Sequence, residues 1–166
     1  LQLKQTRGPS PNQPTKSAFH IPIAIGLISI DGKDILGEAG AANGFNVTVQ
    51  TDLSCENPNS DGTLTLHFDR EQATVKIAGV PPKAVVSFLR GFSAPVKVIY
   101  ARSIMDSLHL ATKDTDGFMR WDAAQTILES TMATQTSDTR LANTLLEKLS
   151  RSAMDAPDDG EAKALL

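Results

Sequence analysis

The sequence predicts a mainly β region followed by an α region. Residues 1–101 read as an immunoglobulin-like antiparallel β-sandwich, and residues 102–166 as the first helices of an α-helical array. Three observations lead there. Eight of the nine prolines lie before residue 102, the exception being Pro157, and proline is tolerated in turns and edge strands but not inside helices. The hydrophobic period changes at the same place from two to between three and four. The charge balance changes there too: residues 1–101 carry 9 Lys+Arg against 8 Asp+Glu, and residues 102–166 carry 7 against 11.

The strands follow in order. Leu1 and Leu3 alternate with Gln2 and Lys4, and a proline-rich loop from Gly8 to Ser17 follows. His20 to Ile30 places Ile21, Ile23, Ile25 and Leu27 on one face and Ala24, Gly26 and Ile28 on the other, the pattern of a strand covered on both sides. Asp31-Gly32 supplies a turn, because glycine accepts the positive φ of a tight hairpin. Phe45 to Val49 is a weaker strand, and Leu53 to Gly62 is a polar loop. Leu64, Leu66 and Phe68 alternate with Thr63, Thr65 and His67; Val75 and Ile77 alternate with Thr74 and Lys76. Val85 to Phe92 and Val96 to Tyr100 complete the set. Strands joined by short polar turns suit a sandwich, although the cysteine pair of antibody domains is absent.

Beyond Ala101 the stripes are helical. Ile104, Met105, Leu108 and Ala111 form one; Phe118, Trp121, Gln125, Leu128 and Met132 form a second, with Asp116 placed as its N-cap. Leu141, Leu145 and Leu149 form a third after Ser137-Asp138. Three helices bury little surface by themselves, so the stripes predict further partners.

Composition excludes several function classes. A net charge of −3 with no block of Lys or Arg gives no electrostatic footprint for nucleic acid. No apolar run approaches the roughly 18 residues of a membrane span, so no membrane partner is expected. Cys55 alone cannot form an internal disulfide or a multi-cysteine metal site. His20, His67 and His109 are far apart, and none opens an H-E-x-x-H pair; His67, on a polar strand face, reads as solvated. Asp114, Asp116 and Asp122 lack the glycine and terminal glutamate of a calcium loop. Ser87 and Ser93 stand in no nucleophile elbow. No catalytic or metal-binding residue emerges.

Four motifs resist a local explanation: His20-Ile21-Pro22-Ile23-Ala24-Ile25-Gly26-Leu27, Asp31-Gly32-Lys33-Asp34, Gly91-Phe92-Ser93-Ala94-Pro95-Val96 and Arg120-Trp121-Asp122-Ala123-Ala124-Gln125. In this order and spacing the chain resembles the aminopeptidase N family of zinc metallopeptidases, in its bacterial, plant and protozoan branch. Residues 1–35 and about 63–130 carry the likeness, and residues 36–62 are longer and more polar than the family's hairpin.

The resemblance implies that the chain corresponds to the Ig-like sandwich and the start of the C-terminal helical domain of a larger enzyme. That enzyme would use zinc to release N-terminal amino acids from peptides. Its zinc ligands, general-base Glu and Gly-x-Met-Glu-Asn loop match nothing here, so no catalytic or metal residue carries over and this piece would bind no zinc. The implied role is a spacer that docks the helical domain against the catalytic one, in a protein expected to be intracellular. The start at Leu1 rather than Met agrees with an excised or processed piece. The alternative is a free-standing β-sandwich binding module with a helical appendage.

Four residues are expected to serve the junction. Phe92 enters the sandwich core. Pro95 presets φ and directs the chain into the strand Val96–Tyr100. Trp121 either buries its indole between sandwich and helices or packs only among helices. Arg120, adjacent to it, points to a carboxylate or to helix-end carbonyls.

Overall fold

A computed structural model describes residues 1–133 except Pro14, together with Asn143, Thr144, Glu147 and Arg151. The stripe Leu141–Leu149 lies outside the described residues. Among these described residues seven strands form two antiparallel sheets. Strands β1 (Gln2–Lys4), β6 (Gln72–Ala78) and β3 (Thr48–Thr51) make one, in the order β1-β6-β3. Strands β4 (Ser54–Cys55), β5 (Leu64–Phe68), β2 (Ile21–Ile28) and β7 (Val85–Phe88) make the other, in the order β4-β5-β2-β7. The short helix α1 (Gly37–Ala42) interrupts the connection between β2 and β3, and two longer helices follow the sheets, α2 (Ile104–Lys113) and α3 (Gly117–Ala133). The architecture is the expected one, an Ig-like sandwich followed by helices.

Alternation explains the core. Ile23, Ile25 and Leu27 of β2 and Leu64, Leu66 and Phe68 of β5 face Ala73 and Val75 of β6, and Leu36 and Leu53 close the edges. The opposite face of β2 is covered as well. Ile28 is fully buried against Leu108, Leu110 and Ala111 of α2 and Ala123 and Ile127 of α3, with Val85 beside them. One strand therefore serves two cores, which is why it reads as apolar on both faces.

Several expectations are corrected. The strand from Val85 ends at Phe88 rather than Phe92, because Leu89 takes a left-handed backbone (φ 61°) and starts a tight 3-10 turn, Arg90–Phe92. No strand forms over Val96–Tyr100. At Pro95 the Val96 amide donates to the Ala94 carbonyl at 2.9 Å, a three-residue turn that bends the chain instead of extending it. The strand expected over Phe45–Val49 begins at Thr48, and the polar loop Leu53–Gly62 contains β4, whose register pairs Ser54 with His67. Nothing in the apolar pattern signalled α1.

The stripe of α3 is displaced by one or two positions. Met119, Ala123 and Ile127 are buried, while Trp121, Leu128 and Met132 are exposed. In α2, Leu108 and Ala111 are buried as expected, but Leu110 joins them and Met105 faces outward. The start signal anticipated for α3 is present, and α2 has one that its apolar stripe did not show. Ser103 and Asp106 form a reciprocal capping box on α2, and Asp116 Oδ1 accepts a 2.8 Å hydrogen bond from the Met119 amide at the start of α3.

Candidate functional site at the junction of sandwich and helices

Arg90 is the centre of the junction. It follows the left-handed Leu89, which turns its side chain under β2, where it is only 4% exposed. Its Nη2 lies 2.7 Å from Asp34 Oδ1 and 2.8 Å from Asp114 Oδ1. Nη1 donates to Thr63 Oγ1 at 3.2 Å, and Nε donates to Ser87 Oγ at 3.3 Å. A planar guanidinium with five N–H donors suits this array, which a lysine could not reproduce.

The surrounding chain is built to admit it. A Cβ at Gly26 would overlap the guanidinium carbon, so the glycine in β2 leaves the slot that Arg90 fills. Asp34 is held in turn by the Thr115 hydroxyl, which donates to Oδ2 at 2.7 Å, while Asn43 Nδ2 donates to the Asp34 carbonyl at 3.1 Å. Asp114 ends α2 and accepts the Asp116 amide at 3.0 Å. Asp116 accepts the Gly91 amide at 3.0 Å through its other carboxylate oxygen, tying the 3-10 turn to the start of α3.

Two buried carboxylates share one buried guanidinium, so the cluster is one negative charge in excess. Burial pushes the Asp114 carboxyl above the ordinary range, with the Arg90 charge opposing it. Asp34 Oδ1, Asp114 Oδ2 and Ser107 Oγ are buried without a well-aligned hydrogen bond among the described residues, so Asp34 Oδ1 meets Arg90 as an ion pair only. The cluster is enclosed: Arg90, Asp34 and Asp114 are all buried. What it does is fix geometry: β2 and its turn, the 3-10 turn and the α2–α3 connection are held on one side chain.

The four residues expected at the junction fare differently. Phe92 does not enter the sandwich core. It has φ 54° after Gly91 at φ 60°, which swings the ring outward to 55% exposure, and the buried place is taken by Ala94. Its ring packs on Phe118 of α3 at 5.2 Å between centroids, and Phe118 meets Trp121 at 5.8 Å. Trp121 is 49% exposed, so it is fully buried neither at the junction nor among the helices. Pro95 is exposed at its bend, and Ser93 beside it accepts the Ala24 amide at 3.0 Å. Arg120 is half-buried in a groove of about 1120 Å³ lined also by His109, Lys113 and Arg151, and forms no ion pair with a described residue.

The sequence reading missed Arg90, Asp34 and Asp114 as a unit. A signal existed: Arg90 ends a run from Val85 that is apolar except for Ser87, and Asp34 directly precedes Ile35-Leu36. Both are charges where the pattern wants burial. His109 is accounted for by its Nε2–H, which donates to the Ser29 carbonyl at 2.8 Å and fastens α2 to the end of β2.

Among the described residues no three His, Cys, Asp or Glu side chains are gathered so as to hold a metal, so these residues do not fit a catalytic zinc.

Comparison with known proteins places these features. Residues 1–101 match the domain of unknown function DUF3458, of Ig-like fold, and residues 105–166 match DUF3458_C, described as ARM repeats. Aminopeptidase N of Caulobacter vibrioides is 34% identical over 102 residues, covering 60% of this chain and 12% of that protein. Aminopeptidase N of Escherichia coli is 30% identical over 128 residues, covering 77% of this chain and 13% of that protein. The chain thus spans about one eighth of the length of these relatives. The crystal structure of Legionella pneumophila aminopeptidase A in complex with aspartic acid shares the fold, with a TM-score of 0.51 and 20% identity over 99% of this chain and 19% of that one.

Proposed function

The chain belongs to the DUF3458 family and is aminopeptidase N-like, and from that premise we propose that it is the non-catalytic sandwich-and-helix part of a larger zinc aminopeptidase. The whole enzyme would release N-terminal residues from peptides. Zinc, its ligands and the general base are assigned to the rest of the parent chain, and no step of the reaction is assigned to residues here. The part played by this chain is that of a spacer, which holds the helical array at a fixed angle to the catalytic part.

The observation that carries the reading is the Arg90 cluster. A protein that needed only a stable sandwich would gain as much from apolar residues at these positions, since a buried ion pair is no better than a hydrophobic replacement in net stability. Hydrogen bonds to Asp114, Thr63 and Ser87, with the ion pair to Asp34, instead specify one orientation of helices on sheet. Two of the four family-like motifs meet at this cluster, through Gly26 and Asp34, and a third starts at Gly91 directly after Arg90, which supports the same reading. An intracellular location is proposed with it, on the ground that the single cysteine, Cys55, is free and exposed. Among the described residues no helix is long and apolar enough to cross a membrane.

The test is hydrolysis of an aminoacyl anilide by the purified 166-residue chain with added zinc. No turnover is expected, whereas activity that copurifies with the chain and is abolished by a chelator would overturn the assignment. Reading the coding sequence upstream of Leu1 separates the alternatives. An H-E-x-x-H there supports the enzyme, and a start codon immediately before Leu1 favours a free-standing binding module.

A further inference from the structure

A second cluster lies on the outer face of the four-stranded sheet. His67 points outward from β5, where its register partners are Pro22 on β2 and Ser54 on β4. His20 stands two residues before Pro22 and Glu56 two residues after Ser54. Both are therefore diagonal neighbours of His67 on the same face, within reach for long or ring-bearing side chains. The backbone there is pinned, since the Glu56 amide donates to the Thr65 carbonyl at 3.0 Å.

The side chains make a directed chain. His67 Nε2 lies 3.3 Å from Glu56 Oε1, and His67 Nδ1 lies 2.9 Å from His20 Nε2. An ionised carboxylate can only accept, so Glu56 fixes the proton of a neutral His67 on Nε2. Nδ1 is then a lone pair aimed at the facing nitrogen of His20. A carboxylate that takes the N–H of one ring nitrogen and leaves the other as a lone pair is the arrangement by which proteins orient metal-bound histidines. Arg70 is occupied by Asp69 and Asp52, at 3.0 Å each.

We propose that His20 and His67, with Glu56 behind His67, form a two-imidazole surface site for a borderline divalent cation such as Zn²⁺ or Cu²⁺. On binding, the proton on His20 Nε2 moves to its Nδ1, and the two facing nitrogens each donate a lone pair to the metal. Water completes the coordination. Hard cations such as Mg²⁺ gain little from nitrogen ligands and are excluded. The site is separate from the Arg90 cluster and does not depend on the enzyme assignment.

The experiment titrates the full 166-residue chain with zinc chloride, copper chloride and, as control, magnesium chloride. It follows heat and the ring ¹⁵N signals of the three histidines. One equivalent of Zn²⁺ or Cu²⁺ should bind and move the His20 and His67 signals but not those of His109, and Mg²⁺ should move none. His20→Ala and His67→Ala should each weaken binding at least about tenfold, and Glu56→Gln by about 10–100-fold, as for other carboxylates behind a metal-bound His. His109→Ala should leave the affinity unchanged. Absence of binding to the native chain would overturn the site. So would binding that leaves the His20 and His67 signals unmoved, or that survives the His20→Ala/His67→Ala double variant, since the cation would then be adventitious.

Discussion

In the sandwich, Ile25, Leu66 and Val75 are wholly buried between two sheets that cover each other. In the helical region, Leu110, Ala123 and Ile127 are as deeply buried, yet Met105 is 65% and Met132 79% exposed, with Trp121 and Leu128 open beside Met132 on α3. The sandwich supplies both of its own layers, whereas α2 and α3 borrow theirs from Ile28 and Val85 of the sheet. A region that closes on itself can fold alone; a region that leans on a neighbour inherits its stability from that neighbour.

The sharpest way to break this comparison is to cut the chain after Ala101. Residues 1–101 should unfold cooperatively, while residues 102–166 should show no cooperative transition, read by circular dichroism in denaturant. A monomeric, cooperatively folded 102–166 would contradict the dependence of the helices on the sheet.

The next largest effect is expected from Arg90→Ala, which leaves the Asp34 and Asp114 carboxylates buried together. Breaking such a pair costs about 3–5 kcal/mol, and denaturant unfolding of the full chain should register it. A loss under about 1 kcal/mol would mean that water reaches the carboxylates, and the cluster would then not lock the junction.

Trp121→Ala should cost far less, about 1 kcal/mol, because the half-exposed indole gives up its contact with Phe118 without opening a cavity in a closed core. A cost of about 3 kcal/mol or more would place the indole inside a packed core and so narrow the contrast between the two regions.

The smallest effect is a slope. Burial raises the Asp114 carboxyl in the folded chain, so the folded state binds that proton more tightly than the unfolded state. Its contribution to stability is present below the ordinary Asp range and is lost as pH rises from that range to the raised value. Across that interval the native chain should lose stability relative to Asp114→Asn. A gap that is flat, or that moves the other way, would show that the Arg90 charge outweighs burial.

The sequence by itself determined the order of the two regions and most of what is regular within them. Alternation over Leu64–Phe68 and on both faces of Ile21–Ile28 requires a sheet covered where it is apolar, and Ser103 and Asp116 mark helix starts through hydrogen bonds to amides only three residues away. Such signals are local, which is why they can be read in one dimension. The fates of Phe92, Pro95 and Trp121 were decided elsewhere. Phe92 turns outward because Leu89, Gly91 and Phe92 itself adopt left-handed backbones, which follow from seating Arg90 on Asp34, Asp114 and the slot at Gly26. The extended stretch expected after Pro95 gives way to a bend there, while Ala94 is buried and Ser93 bonds to Ala24. The stripe of α3 shifts because the cap at Asp116 and the surface of α2 together choose which face turns inward, and Met119, Ala123 and Ile127 fit that surface where the larger Trp121 does not. Most of these contacts join residues distant in sequence, 24 positions for Arg90–Asp114 and 69 for Ala24–Ser93, and only closure of the tertiary structure brings them together.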